Sequence, residues 1–457
     1  MHSPHNRMLA SRFASRDVSR YILPMQVKDF FKGKRVTLMG LGLLGRGVGD
    51  ARFLAEMGAR VIATDKKSRD ELAASVASLE GVSGITCKLS GHDLADFTDT
   101  DMVIKAAGVP LSSPEIAAAR AAHVPVYMST ALAAHLAREG GARIVGVTGT
   151  RGKSTVTHMI HHVLKRAGIR VHLGGNIRGV STLALLPAIE IGDILLLELD
   201  SWQLQGFGDF PHGAFSPHVA VFTNLMPDHQ NYYPDMATYF ADKRNIYAYQ
   251  RDGDILVAGR SVQDEWIKET RAHVPAPYAG TLMVLGQHNR ENAALASDAL
   301  RALGVAESDI VDGLASFESV EGRLQFVREV RGVKIYNDNN ATTPEATLAA
   351  LRAVGKGKNV VLIMGGSDKG LDMSALLYEI AKTSKRTILL AGSGTDRIAP
   401  LMQDYSIYDS LDAAVREAVA SASTGDVILF SPAFASFGMF TNEYDRNDQF
   451  MRIVSSL

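Results

Sequence analysis

Cysteine is almost missing from this chain: Cys87 is the only one in 457 residues. An internal disulfide and a cysteine zinc cluster are therefore excluded, and a reducing cytoplasmic setting fits. No stretch approaches the roughly 18–20 apolar residues that a membrane span needs, so no membrane partner is expected. An excess of one charge is lacking too, with 48 Lys+Arg against 49 Asp+Glu and a formal net charge of −1. Bulk electrostatics thus draw in neither nucleic acid nor an anionic membrane, and any phosphate must be held by local geometry. Fixed-period repeats and low-complexity tracts are absent as well. What is present is length enough for about three domains. There are also 41 glycines, as an α/β chain with many tight strand-to-helix turns requires.

Residues 1–24 read differently from the rest. Arg7, Arg12, Arg16 and Arg20 face only Asp17. That composition is shared by transit peptides and disordered extensions, and we read an extension. Folded pattern begins at Met25. The sequence RVTLMG, a glycine turn, a helical stretch and ARVIATD form a βαβ unit with Gly40, Gly42 and Gly45 in G-x-G-x-x-G spacing and Asp65 about 20 residues on. A second unit opens with RIVGVTGTRGKST, and further alternation follows Glu321. The expected fold is α/β in three domains: Rossmann-like over 25–128, a central P-loop-type parallel sheet over 129–320, and a Rossmann-like third domain over 321–457.

The most specific chemical signal is the run from Gly146 to Thr155. A glycine-rich turn between strand and helix points backbone N–H groups inward, Lys153 reaches terminal phosphates, and the Ser154 hydroxyl suits Mg²⁺. ATP is the expected ligand, although Val147 stands where the first glycine of G-x-x-x-x-G-K-S belongs. Glu198 ends the apolar strand DILLLE, where a carboxylate serves a metal or a substrate, or simply faces water. His229 sits in a polar loop, where a histidine is more often solvated than a ligand.

Several motifs in succession, GVTGTRGKST, GGNI, LELDSWQLQ, NLMPDHQNYYP followed by DKRNIY, GQHNRENAA, EGRLQFV, NDNNATTPEA and SPAFASFGMF, resemble the Mur ligase family. The resemblance covers the chain from about Val36 onward. Among family members it is most similar to those adding D-glutamate to UDP-N-acetylmuramoyl-L-alanine, in peptidoglycan precursor synthesis. It implies an ATP- and Mg²⁺-dependent ligase working through an acyl phosphate, as a monomer with small-molecule substrates. It also implies roles. Lys153, Glu198, His229 and Lys243 would carry catalysis, with Ser154, Glu198, His229 and a carbamylated Lys243 around the metal. Gly149, Thr150, Gly152, Lys153, Ser154, Thr155, Asn176, Asn289, Asn292, Arg323 and Asp338 would hold ATP. Leu43, Leu44, Asp65, Lys66 and Gly108 would receive the uracil nucleotide, so that the Rossmann-like unit binds UDP and no redox dinucleotide. Thr342, Lys369 and Ser436 would receive the amino acid.

The sequence departs from the family at informative places. The pattern D-S-K-A-T-N reads Asp338-Asn-Asn-Ala-Thr-Thr343, so Asn340 replaces a lysine beside the expected glutamate site. Arg151 replaces the loop asparagine, D-H-x-D reads Asp228-His-Gln-Asn231, and Glu443 stands where relatives often carry phenylalanine. Addition of L-glutamate or another amino acid is the alternative. A non-catalytic nucleotide-binding regulator would not need Glu198, His229 and Lys243 together, and an NAD-dependent oxidoreductase would leave GKST and HNRENAA without a purpose.

Overall fold

Among the described residues, three β-sheets organise the chain. The computed structural model describes residues 25–229, 232–268, 270 and 272–457; the extension expected over residues 1–24 lies outside them. Among the described residues the fold is α/β, as expected. The first sheet joins β1 (Arg35–Met39), β2 (Arg60–Asp65), β3 (Ile85–Leu89), β4 (Met102–Lys105) and β5 (Val126–Met128) in the order β3-β2-β1-β4-β5, all parallel. Strand order reverses at the β1/β4 seam, the place in open α/β sheets where ligands enter beyond the strand carboxyl ends.

The second sheet joins β6 (Arg143–Thr148), β7 (Val171–Gly175), β8 (Ile194–Glu198), β9 (Val219–Phe222) and β10 (Ile255–Ala258) in the order β10-β9-β6-β8-β7, again all parallel. β8 carries four consecutive aliphatic residues before Glu198 and is buried throughout, because a central parallel strand is covered on both faces. The helix Lys153–Arg166 leaves β6 with Val156, Met159, Ile160, Val163 and Leu164 buried at helical spacing. Each such side chain contributes roughly 1.5–3 kcal/mol on burial, which seats the helix and so fixes the loop before it. Lys165 and Arg166 stand in its last turn, where cations offset the unpaired carbonyls.

The third sheet is mixed. β11 (Gln325–Val330), β12 (Val333–Asn337), β13 (Val360–Gly365), β14 (Ser384–Leu390), β15 (Tyr405–Tyr408) and β16 (Val427–Phe430) run in the order β11-β12-β16-β13-β14-β15, with only β11 antiparallel to its neighbour. Along β13 the side chains alternate between two cores: Val360, Leu362 and Met364 join one, Val361 and Ile363 the other. That is why its sequence reads as an unbroken apolar run and not as polar–apolar alternation.

The chain forms two compact units: one runs to Ala276 and includes Ala294–Ile310, the other holds Pro277–Ala293 and Val311–Leu457. The first two sheets belong to the first unit and the third sheet to the second.

Candidate active site

In the first unit the glycine loop 149–152 joins β6 to the helix Lys153–Arg166. Gly149 has φ +141° and Gly152 has φ +81°, conformations that disfavour side chains. A Cβ on Gly149 would lie 1.9 Å from Thr223 Oγ1. The loop is braced by the segment after β9. Thr150 N donates to Asn224 O at 2.9 Å, Arg151 N to Asn224 Oδ1 at 2.9 Å, and Met226 N to Thr150 Oγ1 at 3.0 Å. Asn224–Met226 open the motif NLMPDHQNYYP, but their bracing of the glycine loop, with Thr223, shows only once β9 lies beside β6.

Two lysines converge on this loop. Lys153 Nζ donates to Gly149 O and Thr150 O, both at 3.0 Å, and Lys243 Nζ donates to the same Gly149 O at 3.0 Å. Lys243 is 1 % exposed, lies over the Tyr239 ring and comes from the helix Met236–Arg244. Asp235 caps that helix by accepting from Thr238 N at 2.7 Å, and Gln205 and the Tyr233 hydroxyl hold Asp242 within it. Burial pushes the Lys243 amine well below the ordinary lysine range, and the positive charge of Lys153 adds to the effect. At that burial Lys243 is not a solvated surface lysine. A buried amine with a lowered pKa is a nucleophile for CO₂, and carbamylation would turn it into an anion.

Glu198 ends β8 at 4 % exposure, and its carbonyl accepts from Asn176 N at 2.7 Å. Gly175 permits this approach: at φ +86° a Cβ there would lie 2.1 Å from Glu198 O. Ser154 and Thr155 are buried in the first turn of the loop helix. His229 has φ +54° and packs on the Trp202 ring at 4.6 Å between centroids. Burial lowers its pKa against the opposing pull of Asp228, leaving a neutral imidazole suited to metal ligation. Burial raises the Asp228 carboxyl, but His229, Arg151 and Lys153 outweigh it and hold it below the usual range. Arg151 Nη1 lies 3.7 Å from Asp228 Oδ2.

No group of three or more His, Cys, Asp and Glu that could hold a metal exists among the described residues. The donors present nevertheless fit Mg²⁺, which is usually held by one or two carboxylates together with phosphate oxygens and water. Lys153 beside the backbone N–H groups of the loop fits an anion.

At the β1/β4 seam, Leu43 is exposed and Leu44 half-buried in the glycine turn, and Gly108 lies exposed in the loop after β4. Asp65 spends both oxygens on backbone, accepting from Gly42 N and Lys67 N at 3.0 Å each. It therefore shapes the turn directly. Lys66 Nζ stands 4.0 Å from Glu115 Oε1. Lys105 at the end of β4 is 1 % exposed, and burial lowers it to about 8. No local pattern marks that burial.

The remaining candidates lie in the second unit. Asn289 and Asn292 are buried and linked, Asn292 Nδ2 donating to Asn289 Oδ1 at 3.1 Å. Asp338 follows β12 and accepts from Leu324 N at 2.9 Å and the Ser431 hydroxyl at 2.7 Å; burial raises it to about 7, with Arg323 opposing. Lys369 Nζ donates to Thr342 Oγ1 at 3.1 Å, and Ser436 is buried in the loop after β16. Asp338, Thr342, Lys369 and Ser436 thus come from loops at the carboxyl ends of adjacent strands. Sequence reading missed Arg446, which is fully buried and donates to Asn339 Oδ1 and Asn339 O at 2.8 Å each. It lies 107 positions from its partner, beyond any local pattern.

Comparison with known proteins agrees with this architecture. The Mur ligase middle domain matches residues 147–293, and the Mur ligase glutamate ligase domain matches residues 322–434. The UDP-N-acetylmuramoylalanine–D-glutamate ligase of Roseiflexus sp. is 34% identical over 471 residues, covering 93% of this chain and 99% of its own. That of Anaeromyxobacter dehalogenans is 35% identical over 467 residues, covering 93% and 98%. Among solved structures, the UDP-N-acetylmuramate-alanine ligase MurC of Thermotoga maritima shares the fold with a TM-score of 0.59 at 20% identity, covering 93% of this chain and 99% of that one. With a braced glycine loop on which Lys153 and the buried Lys243 converge, and near full-length relatives above 30% identity, the chain belongs to the Mur ligase family.

Proposed function

We propose that this protein is an ATP-dependent amide ligase that joins D-glutamate to UDP-N-acetylmuramoyl-L-alanine in peptidoglycan precursor synthesis, working as a cytoplasmic monomer. The observation that carries the reading is the convergence of Lys153 and Lys243 on Gly149 O at the head of the glycine loop, in a chain whose near full-length relatives bear that activity in their names. Residues 25–128 take the UDP-linked substrate, 129–320 the ATP, and 321–457 the amino acid.

A carboxylate is a poor electrophile at neutral pH. Its attack on the γ-phosphorus of ATP forms a C–O–P bond, breaks the bond to the β-bridging oxygen and releases ADP. The glutamate amine then attacks the acyl carbon, phosphate leaves and the amine gives up a proton. Charge grows on the transferred phosphoryl group, and Lys153 together with the loop N–H groups offsets it. Mg²⁺ would supply further neutralisation of the phosphate oxygens, held by Ser154, Glu198 and His229 with carbamylated Lys243 in support. Asn176 and Thr155 line the phosphate end, Asn289 and Asn292 the adenine, and Arg323 and Asp338 the rest of the nucleotide. Lys369, Thr342 and Ser436 receive the amino acid's carboxylates.

Asn340 favours a second reading, in which the acceptor is L-glutamate or another amino acid, because no cation stands at that position. Phosphate release with UDP-N-acetylmuramoyl-L-alanine and ATP decides between them when D-glutamate, L-glutamate, D-aspartate and L-lysine are supplied in parallel. D-glutamate alone should sustain turnover. Preference for any other acceptor overturns the specificity, and no release with any of the four overturns the ligase.

A further inference from the structure

Arg46 and Asn176 lie 130 positions apart, and nothing in either local sequence connects them. In the first unit the Arg46 guanidinium, in the first turn of the helix Arg46–Glu56, donates through Nη1 to Asn176 Oδ1 at 2.9 Å. The contact is part of a longer seam. Gly179 N donates to Leu44 O at 3.1 Å, and the Ser181 hydroxyl donates to the buried Asp50 carboxylate at 2.5 Å. A Cβ on Gly49 would lie 2.6 Å from Ser181 Cβ, so the helix presses directly on the strap 176–181. At its other side Asn176 N is tied to Glu198 O at 2.7 Å. Backbone and amide oxygen of Asn176 are both fixed.

Arginine has only donors, whereas an asparagine amide has an accepting oxygen and a donating nitrogen. A guanidinium on Oδ1 therefore settles which way the amide faces. We propose that Arg46 is a positioning residue that holds Asn176 with its oxygen engaged, so that Asn176 offers an N–H donor to a phosphate oxygen and does not offer an oxygen to the metal. This rests on the reading of the neighbouring loop as a phosphate site, and it changes what Asn176 does there.

The test is calorimetric binding of β,γ-imido-ATP and, separately, of UDP, each with Mg²⁺ and in EDTA. Asn176→Ala should weaken at least one ligand about tenfold, by the same factor with and without Mg²⁺, as the loss of one hydrogen bond to a charged acceptor requires; the ligand that weakens identifies whose phosphate is bound. Arg46→Met should weaken the same ligand several-fold and have no further effect in the Asn176→Ala background. Arg46→Lys, which keeps a donor, should recover most of the affinity. Thermal melting checks that each variant is folded, and Arg46→Lys carries the comparison if Arg46→Met is not. An Asn176→Ala effect that disappears in EDTA makes Asn176 a metal ligand and overturns the proposal. Full additivity of the two substitutions, or no loss for either ligand, overturns it as well. Wild-type protein that binds no imido-ATP overturns the ATP reading itself, a result distinct from wild-type binding with unaffected variants.

Discussion

Lys153 and Lys243 share one acceptor, Gly149 O, yet they answer different demands. Lys153 opens a helix beside the loop and, in the proposed reaction, would act on charge that grows during phosphoryl transfer. Lys153→Ala should leave the fold intact and lower kcat on the order of 10² or more, read as phosphate release beside a far-ultraviolet spectrum. An active alanine variant sinks the ATP site. Lys243 is buried with its charge suppressed, a state that serves a nucleophilic amine better than a cation. Lys243→Ala should be nearly inactive and should regain part of its rate with millimolar acetate or propionate, which refill an anionic position. Wild-type turnover without added acid would make Lys243 a packing residue only. Asn340 poses the opposite case, a missing charge. Its amide accepts from Asn339 Nδ2 at 3.1 Å, and Asn339 in turn is held by the Arg446 guanidinium. Asn340→Lys should lower the KM for glutamate with little change in kcat, the mark of binding shared equally by ground and transition states. Abolished activity with the native acceptor would mean that the site is built for a different amino acid.

At the scale of elements, what was legible in the sequence and what was not divide by distance along the chain. The glycine loop could be read because strand, turn, lysine and helix are contiguous from Arg143 to Arg166. Glu198 was ambiguous between metal and solvent because its burial depends on parallel neighbours β6 and β7, which the local pattern of β8 does not specify. His229 was weighed toward solvent; the structure packs it on Trp202, a contact between a loop and the helix Ser201–Gly208 that no periodicity encodes. The brace at Thr223–Met226 was invisible for the same reason, and it carries a prediction. Gly149→Ala should be worse than an ordinary loop substitution, since its Cβ meets Thr223 Oγ1 at φ +141°. Combining it with Thr223→Ala removes the side-chain clash and leaves the backbone strain. The double variant should therefore recover part of the melting temperature lost by the single one. No recovery would place the whole penalty in the backbone conformation.

Across the whole molecule the two units share one electrostatic habit: each buries a carboxylate whose pKa is raised. Burial lifts Asp50 in the first unit to about 6 and Asp338 in the second to about 7. The family resemblance implies a nucleotide role for Asp338 and none for Asp50, and local sequence marks neither as buried, because burial of an acid follows from packing between segments. In both cases the folded value lies above the unfolded one, so folding favours the protonated form. Stability from these groups is fully present below about pH 4 and is lost as pH rises through the folded value, the reverse of a salt-bridged aspartate. For Asp50 the loss is on the order of 3 kcal/mol once pH exceeds about 6. Asp50→Asn keeps an oxygen for the Ser181 hydroxyl and cannot ionise. It should melt close to wild type near pH 4 and above it at pH 8, with the gap opening between pH 4 and about 6. The matching Asp338→Asn gap should open from the same pH and keep widening to about pH 7. If the Asp50→Asn gap is constant from pH 4 to pH 8, or if wild type melts higher at pH 8, Asp50 is ionised in the folded protein already near pH 4, and Arg46, the charge beside it, would then hold a carboxylate there as well as an amide.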